Sequence, residues 1–158
     1  LVCTYTNVAV DNLVEGFAAT GVKALRVAFG GKVKPSLYEH TLDYKIDHHP
    51  LKPEIDKLAE QEQAYENNLK ALQKKIFDLD SSGRHQYRLD RMKSDMILKE
   101  RQHNFVRSKK YQLRQKMLCD IFSAADVVCS ECFSSYLLYT YLTPCRFALH
   151  VSLQQLMH

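Results

Sequence analysis

Apolar residues change their spacing three times along this chain, and each change predicts a different kind of element. LVCTY (residues 1–5) is a short continuous run, the pattern of a buried strand. Val10, Leu13, Val14 and Phe17 then recur at helical spacing, and Gly21 stands where a helix C-cap belongs. ALRVAF (residues 24–29), rich in branched and aromatic residues, predicts a second strand. Strand, helix and strand in so few residues make a βαβ unit, which implies parallel strands and a right-handed crossover.

From about Lys32 to Ile121 the spacing is helical. KPSLYEHTLDYKID predicts a short helix, and Pro50 and Pro53 punctuate the chain after it. Leu51, Ile55, Leu58, Tyr65, Leu69, Leu72, Ile76 and Leu79 then follow in alternating steps of four and three, interrupted only by Glu62. That is a heptad seam. Ser81–Ser82–Gly83 break it, and a second seam runs through Leu89, Met92, Met96, Val106, Leu113 and Met117, with Lys99, His103 and Lys110 at its polar positions. Two long helices around a tight turn predict an antiparallel hairpin, its first arm (residues 53–79) reaching roughly 40 Å. ADVVCSEC (residues 125–132) predicts a third, buried strand. The remaining FSSYLLYTYLTPCRFALHVSLQQLMH has no clear period and no acidic residue.

Composition narrows the class. With 158 residues, 46% hydrophobic and 25% charged, the chain has the size and balance of one globular domain. Five cysteines without framework spacing predict free thiols and a reducing, intracellular setting, cytoplasmic or nuclear. No apolar run approaches the roughly 18 to 20 residues of a membrane span. The formal charge of +4 matters less than its placement. The second hairpin helix carries Arg84, Arg88, Arg91, Lys93, Lys99, Arg101, Arg107, Lys109, Lys110, Arg114 and Lys116 against Asp90, Asp95 and Glu100. Such a helix either holds a phosphate backbone or pairs its charges with Glu60, Glu62 and Glu66 of the first helix.

The candidate chemistry sits where the first strand meets the first helix. Thr6 and Asn7 present a hydroxyl, an amide and unpaired backbone N–H groups at a helix start, a corner suited to anions. Asn7 either caps its own helix or binds phosphate there. Cys129-x-x-Cys132 has metal-ligand spacing, but no second pair lies close in sequence, and buried thiols fit better than zinc. His48–His49–Pro50 reads as an exposed linker, and the Tyr and Phe residues are too scattered to form a stacking platform.

TNVAVDNL after an apolar strand resembles motif Ia of superfamily 1 helicases, in the branch typified by the nonsense-mediated-decay helicase, through Thr6, Asn7, Ala9, Val10, Asp11 and Leu13. In that branch the first RecA-like domain is interrupted after this unit by a two-helix stalk, and the chain returns through a strand, motif Ic, resembling ADVVCSEC. The resemblance covers roughly residues 1 to 132. It implies an α/β fold: a partial RecA-like parallel sheet interrupted by a long antiparallel helical hairpin. The implied divisions are 1–31 (βαβ with motif Ia), 32–122 (helical insertion), 123–132 (return strand) and 133–158 (divergent tail). It implies backbone contacts to single-stranded RNA or DNA from Thr6, Asn7, Ser130 and Cys132, ATP and Mg²⁺ as the parent's cofactors, and the rest of the helicase core as a partner. Glu131 departs from the family's usual threonine and would repel phosphate.

Catalysis needs more than this. The chain holds no G-x-x-x-x-G-K-[ST] loop; Gly30–Gly31–Lys32 is followed by Val33 and reads as a turn. After Glu131 there is no Asp or Glu for Mg²⁺. The tail thus departs from the family, as an altered reading frame or unspliced sequence would. With no initiating Met, the expectation is an inactive fragment of an ATP-dependent helicase. The alternative is a coiled-coil interaction module indifferent to nucleic acid.

Overall fold

The structure, a computed structural model, describes residues 1–27, 33–80 and 86–131. Cys132, the Gly30–Gly31–Lys32 and Ser81–Ser82–Gly83 turns and the tail lie outside the described residues. The chain divides into two compact units, one of residues 1–49 with those from Lys116 on, the other of residues 50–115.

The first unit contains a three-stranded parallel sheet. Its strands are β1 (Val2–Thr4), β2 (Ala24–Val27) and β3 (Val127–Glu131), in the order β1-β3-β2. β1 and β2 are parallel, as the βαβ pattern predicts, but they are not neighbours. β3 lies between them, pairing Val2 with Cys129 on one side and Arg26 with Cys129 on the other. β1 is shorter than its apolar run, while residues 28 and 29 of the second run lie outside the described residues.

Helix α1 (Asn7–Ala19) packs on the sheet because its apolar residues repeat on one side. Val10 and Val14 are fully buried there with Ala24, Cys129 and Leu37, flanked by Val2, Leu13, Phe17, Val33 and Val127. Strand alternation places Val2, Cys129 and Ala24 on this face and Cys3, Ser130, Leu25 and Val27 on the other. Burying each valine stabilises by about 1.5 to 3 kcal/mol. The start of β2 is tied to that of β3: Lys23 N donates to Asp126 Oδ2 at 3.0 Å, and Asp126 N donates to Lys23 O at 2.9 Å.

α1 ends as Gly21 predicts. Gly21 has φ +79°, its N–H donates to Ala18 O, and Val22 N–H donates to Phe17 O, both at 3.1 Å. These are the paired bonds of a Schellman cap. The single helix predicted for KPSLYEHTLDYKID is two: a 3₁₀ segment, Pro35–His40, and α2 (Leu42–Asp47). Thr41 divides them. Its backbone is extended, its hydroxyl donates to Tyr38 O at 2.7 Å and accepts from Tyr44 N at 3.2 Å, and it bridges to Arg26 of β2.

The second unit is the hairpin of α3 (Lys52–Asp80) and most of α4 (Gln86–Ser123). At 1.5 Å per residue α3 is about 43 Å long. Every seam position from Leu51 to Leu79 and from Leu89 to Leu113 is buried or half-buried, polar Glu62, Lys99, His103 and Lys110 included. Glu62 pairs with Lys110, and Glu54 with Lys109 at 3.2 Å, so charges of α3 and α4 meet beside the seam. Of the glutamates expected to face α4, Glu66 instead binds Lys70 of its own helix at 2.7 Å.

Two glycine substitutions should act in opposite directions. Neither position has an atom within 4 Å of an added Cβ, so backbone conformation alone decides. Gly21→Ala forces a side chain into the left-handed region and should cost about 1 kcal/mol. Gly16→Ala, inside α1, should stabilise by about 0.5 to 1 kcal/mol. Urea unfolding midpoints check both. The Lys70 hydrogen bond first, then its charge, hold the Glu66 carboxyl below its ordinary value of 4.5, with a smaller contribution from His103. The stability this lends is present above the unfolded-state pKa and lost as pH falls through the depressed one. A carboxyl NMR titration should find the low midpoint in the native chain and recover the ordinary one in Lys70→Ala.

Candidate nucleic-acid interface

The corner between β1 and α1 lies at the carboxyl end of a parallel strand, where open α/β sheets leave room for ligands. Thr4 Oγ1 donates to Thr6 O at 3.1 Å across the bend. Thr6, not Asn7, is the N-cap: its hydroxyl accepts from Ala9 N at 3.2 Å, and its carbonyl accepts from Val10 N. The capping role considered for Asn7 therefore falls to its neighbour, because Thr6 is the residue with extended backbone at φ −133°, ψ 148°. Asn7 is the first helical residue.

Asn7 is half-buried, and its Oδ1 is buried without a hydrogen-bond partner. Helix geometry gives its backbone N–H and that of Val8 no intrahelical acceptor. The corner is flanked by Tyr5 and Val8, which are 79% and 66% exposed. Sequence reasoning missed Tyr5 because it closes an apolar run; the strand ends at Thr4 and releases the ring to the surface.

Beneath the corner lies a buried ion pair. Asp11, one helical turn after Asn7, accepts from Arg26 Nε at 2.6 Å, with side chains only 7% and 2% exposed. Arg26 comes from the centre of β2, so the pair fastens α1 to the sheet. Its Nη2 is also buried without a partner. Buried polar atoms in native structures are nearly always paired with protein or water, so two orphans among residues of the same corner mark it as unusual.

The other predicted contacts are placed differently. Ser130 is fully buried on the sheet face away from α1, and its hydroxyl donates to Glu131 O at 3.2 Å. Cys132 lies outside the described residues. Glu131 is the register neighbour of Thr4, which sets it at the carboxyl end of the sheet on α1's side. A carboxylate there suits the positive end of α1 and competes with any phosphate.

Of the cysteines, Cys3 and Cys129 are free thiols. Cys119 departs from that expectation, being disulfide-bonded. Burial pushes the Cys129 thiol up, which leaves it unreactive. Among the described residues no three His, Cys, Asp or Glu gather as a metal site. His48 stacks on Tyr44 at 3.9 Å between ring centroids, and His49 Nε2 lies 4.0 Å from Asp120. Among the described residues no helix is long and apolar enough to cross a membrane.

Removing one member of the ion pair should harm more than removing both. Asp11→Ala leaves a buried guanidinium uncompensated and should destabilise by about 3 to 5 kcal/mol. Asp11→Ala with Arg26→Met should recover most of that loss in the same denaturant titration.

Comparison with protein-family models finds a match to a family described as an AAA domain, over residues 1–142. It spans both units and runs past Cys132. A search of curated proteins found no match. The matching family is the domain of up-frameshift-like superfamily 1 helicases, and its model covers all three strands, the capped corner and the hairpin between them. This chain belongs to the AAA domain family of those helicases.

Proposed function

We propose that the chain is part of an ATP-dependent superfamily 1 helicase of the nonsense-mediated-decay type, and that its β1–α1 corner grips the backbone of single-stranded RNA or DNA. The observation that carries this reading is the corner itself. An N-capped helix of 13 residues starts at the carboxyl end of a parallel strand, with Asn7 as its first residue. Its partial positive charge and outward N–H groups favour a phosphate, and the exposed Tyr5 ring offers a face to a base.

Roles follow from placement. Thr6 shapes the corner by capping it, and Asn7 and the first-turn amides supply donors. Ser130, its hydroxyl turned inward, adds little in this arrangement. The parent would use ATP and Mg²⁺, with the rest of the helicase core as partner. The residues present do not fit that cofactor: no phosphate-cradling glycine loop occurs in the sequence, and the one positive-φ glycine among the described residues is the helix cap Gly21. The chain alone should therefore show no nucleotide-stimulated hydrolysis.

Titration with single-stranded RNA at rising salt tests the reading. Phosphate binding should weaken linearly in log K against log salt. Asn7→Ala should weaken it about tenfold, the loss of one charge-assisted hydrogen bond. Thr6→Ser keeps the cap and should bind as the native chain does. Tyr5→Ala should weaken binding without changing the salt slope. No binding at low salt would favour a coiled-coil interaction module.

A further inference from the structure

α4 has two apolar sides. One is the seam against α3. The other carries Ile97, Leu98, Phe105 and Tyr111, exposed by 49%, 57%, 70% and 59%. At 100° per residue these four fall within about 140° of one another and centre opposite the seam positions Met96, His103 and Val106. Arg101 stands in the middle of this stripe, with Arg91, Lys93 and Arg107 on its flanks, all exposed. None of these four forms an ion pair among the described residues.

A solvated helix face has no use for four large apolar side chains in about 20 Å of its length. The chemistry of the stripe selects among occupants. Nucleic acid could use the cations and the two rings but gains nothing from Ile97 and Leu98, which neither stack nor accept hydrogen bonds. A second copy of the same stripe would set guanidinium against guanidinium. The chain's own residues after Glu131 include no Asp or Glu and cannot match the charge.

We propose that the outer face of α4 is a docking surface for an acidic amphipathic helix of a partner protein. Its leucine-type residues cover Ile97, Leu98 and Phe105, and its carboxylates meet Arg91, Lys93, Arg101 and Arg107. Helix-on-helix packing of this kind reads i, i+3, i+4 and i+7 anchors, and charge complementarity along the flanks fixes orientation. This inference is independent of the phosphate-binding corner.

The probe is a labelled helix-forming peptide of about 20 residues, with leucines at those spacings and glutamates beside them, and a twin with lysines for glutamates. Anisotropy with the full chain should show the acidic peptide bound and the lysine twin unbound. Leu98→Ala with Phe105→Ala should weaken binding at least tenfold, with far-UV circular dichroism and melting unchanged because both side chains are exposed. Arg101→Glu should shift preference toward the lysine twin, while Asn7→Ala should leave peptide binding untouched. No binding of the acidic peptide, equal binding of the two peptides, or an affinity insensitive to the Leu98/Phe105 pair would each overturn the proposal. So would a labelled oligouridylate whose binding is abolished by that pair, which would assign the face to nucleic acid.

Discussion

Everything in the first unit depends on the double pairing of β3. β1 and β2 share no ladder; each is hydrogen-bonded to β3. The chain must therefore bring residues 127–131 back between two strands that ended long before, against the entropy of closing a very long loop. That closure is made tolerable by what fills it. The hairpin is helical over most of its length, so most of the intervening chain is already ordered by local contacts and costs little more when β3 docks.

The same arrangement explains how far the sequence could be read. Element types were legible wherever spacing was strict: the heptad steps named every buried position of α3 and, in α4, Leu89, Val106 and Met117 but not Leu118, Ile121 or Phe122, and Gly21 marked the end of α1. Strand order was not legible, because hydrophobic runs give no information about neighbours. Thr41 was missed as a divider since a lone Thr inside a helical pattern is unremarkable until its hydroxyl is seen bonding both ways. At the site, TNVAVDNL located the corner, but which residue caps it was a matter of backbone angles. Ser130 and Glu131 differ by one position in a strand and hence by a whole face of the sheet.

The polar residues in the seam are not errors of pattern. Glu62 meets Lys110 across it, half-buried, where a slip by one heptad would set Glu62 against His103 or Met117 and Lys110 against Ile55 or Leu69. A hydrophobic pair would hold the helices at least as firmly but would tolerate sliding by a heptad. The ion pair gives the hairpin one alignment, and with it one outward direction for Ile97, Leu98 and Phe105.

The central position of β3 also has a consequence for biosynthesis. β1, α1 and β2 are synthesised before β3, and roughly 100 residues must be polymerised before the strand that joins them emerges, a wait of several seconds at 5 to 20 residues per second. During that wait β1 and β2 lack the strand that pairs with both of them, and the valines of α1 lack Cys129. The nascent segment of residues 1–27 is therefore a natural client for chaperones, and the order of the strands, more than their composition, makes it so.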